Sequence, residues 1–346
     1  MSVAVATARR RLLHLPCSLQ GAAWLHGSAA HETLFFEEVH AAPPAATTAA
    51  AASPPAPRTV CVLHGLLGTG RNLRGVMQDL CRQAAEASGQ PWRALLLDLR
   101  CHGRSARSGL PPPHTLSAAA HDVVRLWCHQ LGGRAPDVLV GHSMGGKTAL
   151  EIVRQLAQPG APTGQPQQVW VLDARPNAVH HMDRPTQEVQ NVLATVKSVQ
   201  LPLASRQALY EQLAAKGFST ALQQWLGSSL LADPQHKGRL VWTFDVHGAQ
   251  SMFDDYLRQD FSQLLRSPPR GVTLHILRAL RSDRWDPETM GVVRQAVAAT
   301  AQPAAVRGST RYHELPDAGH WVHTDNPKGL VQLMLPSLVE VAAAAA

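Results

Sequence analysis

Short apolar runs recur along the chain, separated by stretches with helical spacing. Thr59-Val-Cys-Val-Leu63, Trp92-Arg-Ala-Leu-Leu-Leu-Asp98, Val138-Leu-Val140, Val169-Trp-Val-Leu-Asp173 and Val272-Thr-Leu-His-Ile-Leu277 are apolar without strict alternation. That pattern marks strands covered on both faces. Helical patterns fall between them, from about 72 to 87, 116 to 131, 144 to near Pro159, and 287 to 299. Thr33–Val39 reads as a first strand, Thr310–Leu315 as a last one, and a final helix starts near Asn326-Pro327. Strands alternating with helices predict an α/β fold, a mostly parallel sheet flanked by helices. The rhythm breaks between 175 and 269, where only helical patterns occur. Arg206–Lys216, with Leu209 and Leu213 on one face, and Phe218–Leu230, with Trp225, are examples. The expected organisation is therefore a core over 32–174 and 270–346, interrupted by a helical cap or lid over 175–269.

Composition narrows the function. The chain has 346 residues, 45% of them hydrophobic, and a formal charge of +7. Three of the positive charges are Arg9, Arg10 and Arg11, in a segment with no acidic residue before Glu32. Residues 1–31 thus have the composition of an organellar transit peptide, for mitochondrion or chloroplast. No Lys/Arg run with interleaved aromatics points to nucleic acid, and no apolar run approaches the ~18 residues of a membrane span. The five cysteines show no CxxC or metal-ligand spacing, so no metal is expected and a reduced compartment is. Residues 41–57, almost all Ala, Pro and Thr, predict a surface loop. A monomer is expected.

The chemistry centres on Val138-Leu-Val-Gly-His-Ser-Met-Gly-Gly-Lys147. Gly-x-Ser-x-Gly between a strand and a helix lifts a serine hydroxyl above the sheet edge on a sharp turn. Serine hydroxyl is a weak nucleophile, so Ser143 needs a base, a group to orient the base, and donors for an oxyanion. His320, after the last strand, is the candidate base; His323 lies nearby. Asp173 ends the strand that follows the nucleophile helix, and Asp283 follows the next sheet strand; either could orient the base. Asp173 is the working assignment and Asp283 the alternative, with Asp245 and Asp286 weaker. The backbone N–H groups of Leu66 and Met144 are the expected oxyanion donors. His64 reads as supporting this loop and His142 as packing locally; both are counted, with Trp321, among the residues at the substrate site. Gly65, Gly68 and Gly70 lack the following Gly-Lys-Ser/Thr of a phosphate loop, and no cofactor is expected.

Four motifs together resemble the α/β-hydrolase superfamily: His64-Gly-Leu-Leu-Gly-Thr-Gly-Arg-Asn72, Asp98-Leu-Arg-Cys-His-Gly-Arg-Ser105, Gly141-His-Ser-Met-Gly-Gly-Lys-Thr148 and Ala318-Gly-His-Trp-Val-His323. The last two resemble more narrowly the branch of abhydrolase domain-containing protein 11 and small bacterial esterases. The resemblance implies a Ser143 nucleophile, a His320 base, and acyl ester or thioester substrates of modest length; it also admits a protein partner or a ligand-receptor role with little turnover. Some members place the acid where Asp173 stands. Another proposed position, in the insertion, aligns with His247, two residues after Asp245. Cys101 stands where Asn is more usual.

Overall fold

A computed structural model describes residues 33–44, 55–301 and 307–343. The expected transit segment and most of the 41–57 loop lie outside them. The sheet strands are β1 (Phe36–Ala41), β2 (Arg58–Leu63), β3 (Trp92–Leu97), β4 (Val138–His142), β5 (Gln168–Leu172), β8 (Thr273–Ala279) and β9 (Ser309–Leu315). They form one seven-stranded sheet in the order β1-β3-β2-β4-β5-β8-β9. Only β1 runs antiparallel to its neighbour. It starts later than the sequence suggested, at Phe36 rather than Thr33.

Alternate strand residues feed two separate cores. Cys61, Leu63, Leu139, Val169, Val171, Leu274 and Ile276 meet helices α2 (Leu116–Gln130), α3 (Met144–Leu156) and α9 (Pro287–Thr300). Val60, Val62, Val138, Val140, Trp170 and Leu277 meet α1 (Arg74–Ser88) and α11 (Pro327–Ala343) on the other face. Burial on both faces explains why the strands read as continuous apolar runs. From β2 the chain goes first to β3 on one side and later to β4 on the other. The C-terminal ends of β2 and β4 therefore open a crevice at the point where the winding reverses, the usual place for a ligand in such a sheet.

Residues 175–269 contribute α4 (Arg184–Ser198), α5 (Arg206–Ala215), α6 (Thr220–Ser228), α7 (Val246–Arg258) and α8 (Ser262–Arg266). The expectation of helices alone is corrected here: β6 (Leu230–Ala232) and β7 (Leu240–Trp242) pair as an antiparallel ribbon. Three residues are too few to display a strand period in sequence. Leu193, Val196, Leu209, Leu213, Leu226, Phe244 and Phe253 form the insertion's own core, and Leu67, from the loop after β2, is buried within it. A second tie is Lys147 on α3, fully buried, whose Nζ donates to the carbonyls of Asn177, Tyr256 and Gln259 at 2.7–2.8 Å. Burial pulls its pKa down to about 7. Three carbonyl acceptors nevertheless call for the three protons of an ammonium, because a neutral amine would aim its lone pair at an oxygen.

Several histidines are enclosed in neutral form. Across β5, β8 and β9, Trp170, His275 and His313 stack with ring centroids 4.1–5.1 Å apart. Desolvation, then the neighbouring His313, lowers the pKa of His275 to about 3, and desolvation lowers that of His313 to about 4. Buried His64 and His102 fall to about 4 and about 3, also chiefly by desolvation. In the unfolded chain histidine titrates near 6.5. Below that pH the unfolded state holds more protons than the folded one, so stability falls as pH falls, down to the folded values near 3–4. Denaturant midpoints are expected to be level between pH 7 and 8 and to drop steadily from pH 6.5 to pH 4.5. His275→Phe should flatten that drop.

Candidate active site

The turn between β4 and α3 holds Ser143 at φ 54°, ψ −118°, a region that costs a non-glycine residue energy. The surroundings enforce it. Ser143 N–H donates to Leu172 O at 2.9 Å, and Ser143 O accepts from Gly146 N–H at 2.8 Å. A Cβ at Gly141 would lie 2.1 Å from Gly145 O, and one at Gly145 would lie 2.4 Å from Leu63 O. Both glycines are therefore demanded by close backbone approach. The loop after β2 closes on the same point: a Cβ at Gly65 would sit 3.2 Å from that of Ser143.

His320 reaches this serine from the loop after β9. Its Nε2 lies 3.1 Å from Ser143 Oγ, and its Nδ1 lies 2.8 Å from Asp173 Oδ2. With Nδ1–H donated to the carboxylate, Nε2 presents its lone pair to the serine hydroxyl. Asp173, at the end of β5, has no exposed surface and receives two donors on each oxygen. Ala279 N–H (3.0 Å) and Trp285 Nε1–H (2.7 Å) donate to Oδ1; Ser282 Oγ–H (2.7 Å) and His320 donate to Oδ2. Burial acts to raise the Asp173 pKa, but the donors from His320, Ser282 and Trp285 outweigh it and hold the carboxyl below its ordinary value. His320 is also lowered, first by desolvation and then by the Arg284 charge, against the opposing pull of Asp173. It is thus neutral near pH 7, the state able to accept a proton.

A family model described as the alpha/beta hydrolase family matches residues 60–333. The chain belongs to that family. It is 29% identical to the mouse protein "sn-1-specific diacylglycerol lipase ABHD11" over 78% of this chain and 77% of the mouse protein. The zebrafish (Danio rerio) protein of the same name is 23% identical, over 80% of this chain and 77% of its own length. Among solved structures, a marine microorganism esterase superposes with a TM-score of 0.66 at 20% identity, covering 88% of this chain and 98% of that one. An E-2-(acetamidomethylene)succinate hydrolase superposes with a TM-score of 0.57 at 16% identity, over 90% and 99%. At such identities the structural likeness carries the fold alone. The family and the ABHD11 relatives support hydrolase chemistry.

Within this α/β hydrolase the remaining candidates separate. Asp283, the alternative acid, is exposed, and the side chain against His320 is Asp173. Asp286 caps α9 by accepting from Thr289 N–H, and Asp245 caps α7 by accepting from His247 N–H. His64 and His142, counted among the residues at the substrate site, are both buried and held by hydrogen bonds within the protein. His64 donates from Nδ1 to Gly65 O (2.7 Å) and accepts Leu99 N–H at Nε2 (3.0 Å), so both ring nitrogens are occupied. His142 donates from Nε2 to the His320 carbonyl (2.7 Å) beneath the His320 ring. Trp321 is partly exposed, its ring 5.7 Å from that of Trp225 on α6, at the seam between core and insertion. His323 lies edge-on to His142, at 5.2 Å. The N–H groups of Leu66 and Met144 have no hydrogen-bond acceptor among the described residues. Sequence reading missed Ser282, Arg284 and Trp285. Their one signal was that they flank Asp283 in the loop after β8, where an acid was sought.

The two opposing charges on His320 make a direct test. Followed by NMR of its ring protons, His320 should titrate below pH 6.5. Asp173→Asn should move the midpoint lower still, by removing the pull that favours the cation; a rise would contradict the arrangement.

Proposed function

We propose that the protein cleaves carboxylic ester or thioester bonds through an acyl-enzyme on Ser143. The observation that carries this is the unbroken line Ser143 Oγ, His320 Nε2, His320 Nδ1, Asp173 Oδ2 at 3.1 Å and 2.8 Å on a strained elbow. His320 takes the hydroxyl proton as Oγ attacks the acyl carbon. The imidazolium formed is offset by the Asp173 carboxylate and gives its proton to the departing alcohol or thiol. Water then enters, loses a proton to His320, and releases the acid and the free serine. Leu66 and Met144 N–H groups supply the oxyanion donors, which act at their strongest in a site that excludes water. The segment 175–269, its helices and the β6–β7 ribbon together, serves as the cap that shapes the acyl pocket, with Trp225 and Trp321 at its mouth. The ABHD11 lipases support an acyl-glycerol or similar lipid ester as the substrate class. The acid-free, arginine-bearing residues 1–31 support delivery to a mitochondrion or chloroplast, which a fluorescent protein fused behind them would reveal.

A fluorophosphonate probe should label the purified protein, and Ser143→Ala should abolish labelling. On a panel of esters and thioesters of graded acyl length, Asp173→Asn should lower kcat by about 10³–10⁴-fold, the scale of a lost orienting acid. Asp283→Asn should change it less than about threefold. Turnover by wild type should rise with pH through a midpoint below 6.5, following neutral His320. Labelling that survives Ser143→Ala, or a larger loss from Asp283→Asn than from Asp173→Asn, sinks the proposal.

A further inference from the structure

Three side chains remote in sequence converge beside the seam between core and insertion. Cys101 follows β3 in a turn with φ 64° and is buried. His114 lies in the proline-rich loop before α2, and Asp245 caps α7 in the insertion. One ligand atom from each, a thiol sulfur, an imidazole nitrogen and a carboxylate oxygen, lie within 4.8 Å of one another. His114 Nδ1 is enclosed and has no hydrogen-bond partner among the described residues. Asp245 Oδ1 is engaged by His247 N–H at 3.0 Å, while Oδ2 and the Cys101 sulfur border the same space beside Gly248. A Cβ on Gly248 would lie 2.3 Å from Cys101 Sγ and 2.8 Å from Asp245 Oδ2, so any larger residue at 248 would collide with two of the three donors. The backbone already holds the pieces together, since Asp245 N–H donates to Cys101 O at 2.8 Å. Arg100, the nearest guanidinium in sequence, is bound to Asp122 at 2.7 and 3.1 Å and so brings a balanced charge.

We propose that Cys101, His114 and Asp245 form a divalent transition-metal site, best matched to Zn²⁺. A sulfur, a nitrogen and an oxygen are the donor types zinc takes, at about 2.3 Å to sulfur and 2.0–2.2 Å to nitrogen and oxygen. Donors at those lengths around a tetrahedron lie about 3.2–3.8 Å apart. The observed spread therefore asks for a contraction within the reach of side-chain rotation. On binding, the Cys101 thiol gives its proton to solvent, neutral His114 contributes Nδ1, and Asp245 contributes the carboxylate it already carries. Asp245 is exposed, so water takes the fourth position. The metal does no chemistry on an ester. It ties the loop after β3 to the first turn of α7 and holds the insertion against the core, so occupancy governs how freely the insertion moves over Ser143. This proposal is independent of the substrate of Ser143.

Metal-free full-length protein titrated with Co²⁺ should show a thiolate-to-cobalt charge-transfer band in the near ultraviolet that saturates at one equivalent and is displaced by Zn²⁺. Cys101→Ser should abolish the band, and Cys128→Ser should keep it. His114→Ala and Asp245→Asn should each weaken Zn²⁺ affinity at least about tenfold, the least expected for a lost ligand. Zinc should raise the Tm of wild type and leave that of His114→Ala unchanged. Because His114 is partly exposed, its variant keeps the test usable if Cys101→Ser folds poorly. Cobalt bound without the band, a band that persists in Cys101→Ser, or Zn²⁺ affinity within twofold of wild type in His114→Ala overturns the site.

Discussion

A carboxylate with no exposed surface is tolerable only when every lone pair has a donor, since an unpaired buried charge costs several kcal/mol. Asp173 meets that demand from three directions: the end of β8 (Ala279), the loop behind it (Ser282, Trp285) and the loop after β9 (His320). Its four hydrogen bonds therefore lock the edges of three consecutive parallel strands to one another. The geometry at Ser143 depends on this, because His320 is placed by the carboxylate on one side and by the His142 donor on its carbonyl on the other. Positioning and electrostatics come from the same contacts. The donors that satisfy Asp173 also keep it ionised, and the ionised group fixes which nitrogen of His320 carries the proton.

Much of this was legible in the chain. Val138–Val140 and Val169–Leu172 read as buried strands because both of their faces are covered, and Gly141 and Gly145 read as an elbow because no side chain fits there. Ser143 and His320, which the structure brings to 3.1 Å of each other, were picked out by position relative to those strands. The choice between Asp173 and Asp283 was not legible, because both follow strand ends and only the three-dimensional path of the β8 loop decides which carboxylate faces inward. That loop turns Ser282 and Trp285 toward Asp173 and leaves Asp283 in solvent. The β6–β7 ribbon escaped for want of length. The Cys101, His114 and Asp245 cluster escaped because its members come from three separate segments with no characteristic spacing.

The insertion meets the core at places that matter to the serine. Leu67 lies one residue beyond Leu66, and its side chain is buried among Leu193, Leu209, Leu226 and Phe253 of the insertion. Trp321 lies one residue beyond His320 and meets Trp225 of α6. Packing in the insertion thus bears on both the loop after β2 and the loop that carries His320.

Lys147 limits how modular this architecture is. Insertions between sheet strands are often pictured as interchangeable parts on a constant platform. Here the platform's own helix α3 sends an ammonium into the joint, and its three acceptors, the carbonyls of Asn177, Tyr256 and Gln259, all belong to the insertion. A foreign segment grafted between β5 and β8 would leave that charge buried without ligands, one turn from Ser143. The two parts therefore depend on each other, and the lysine in the Gly-Gly-Lys run is the point of that dependence.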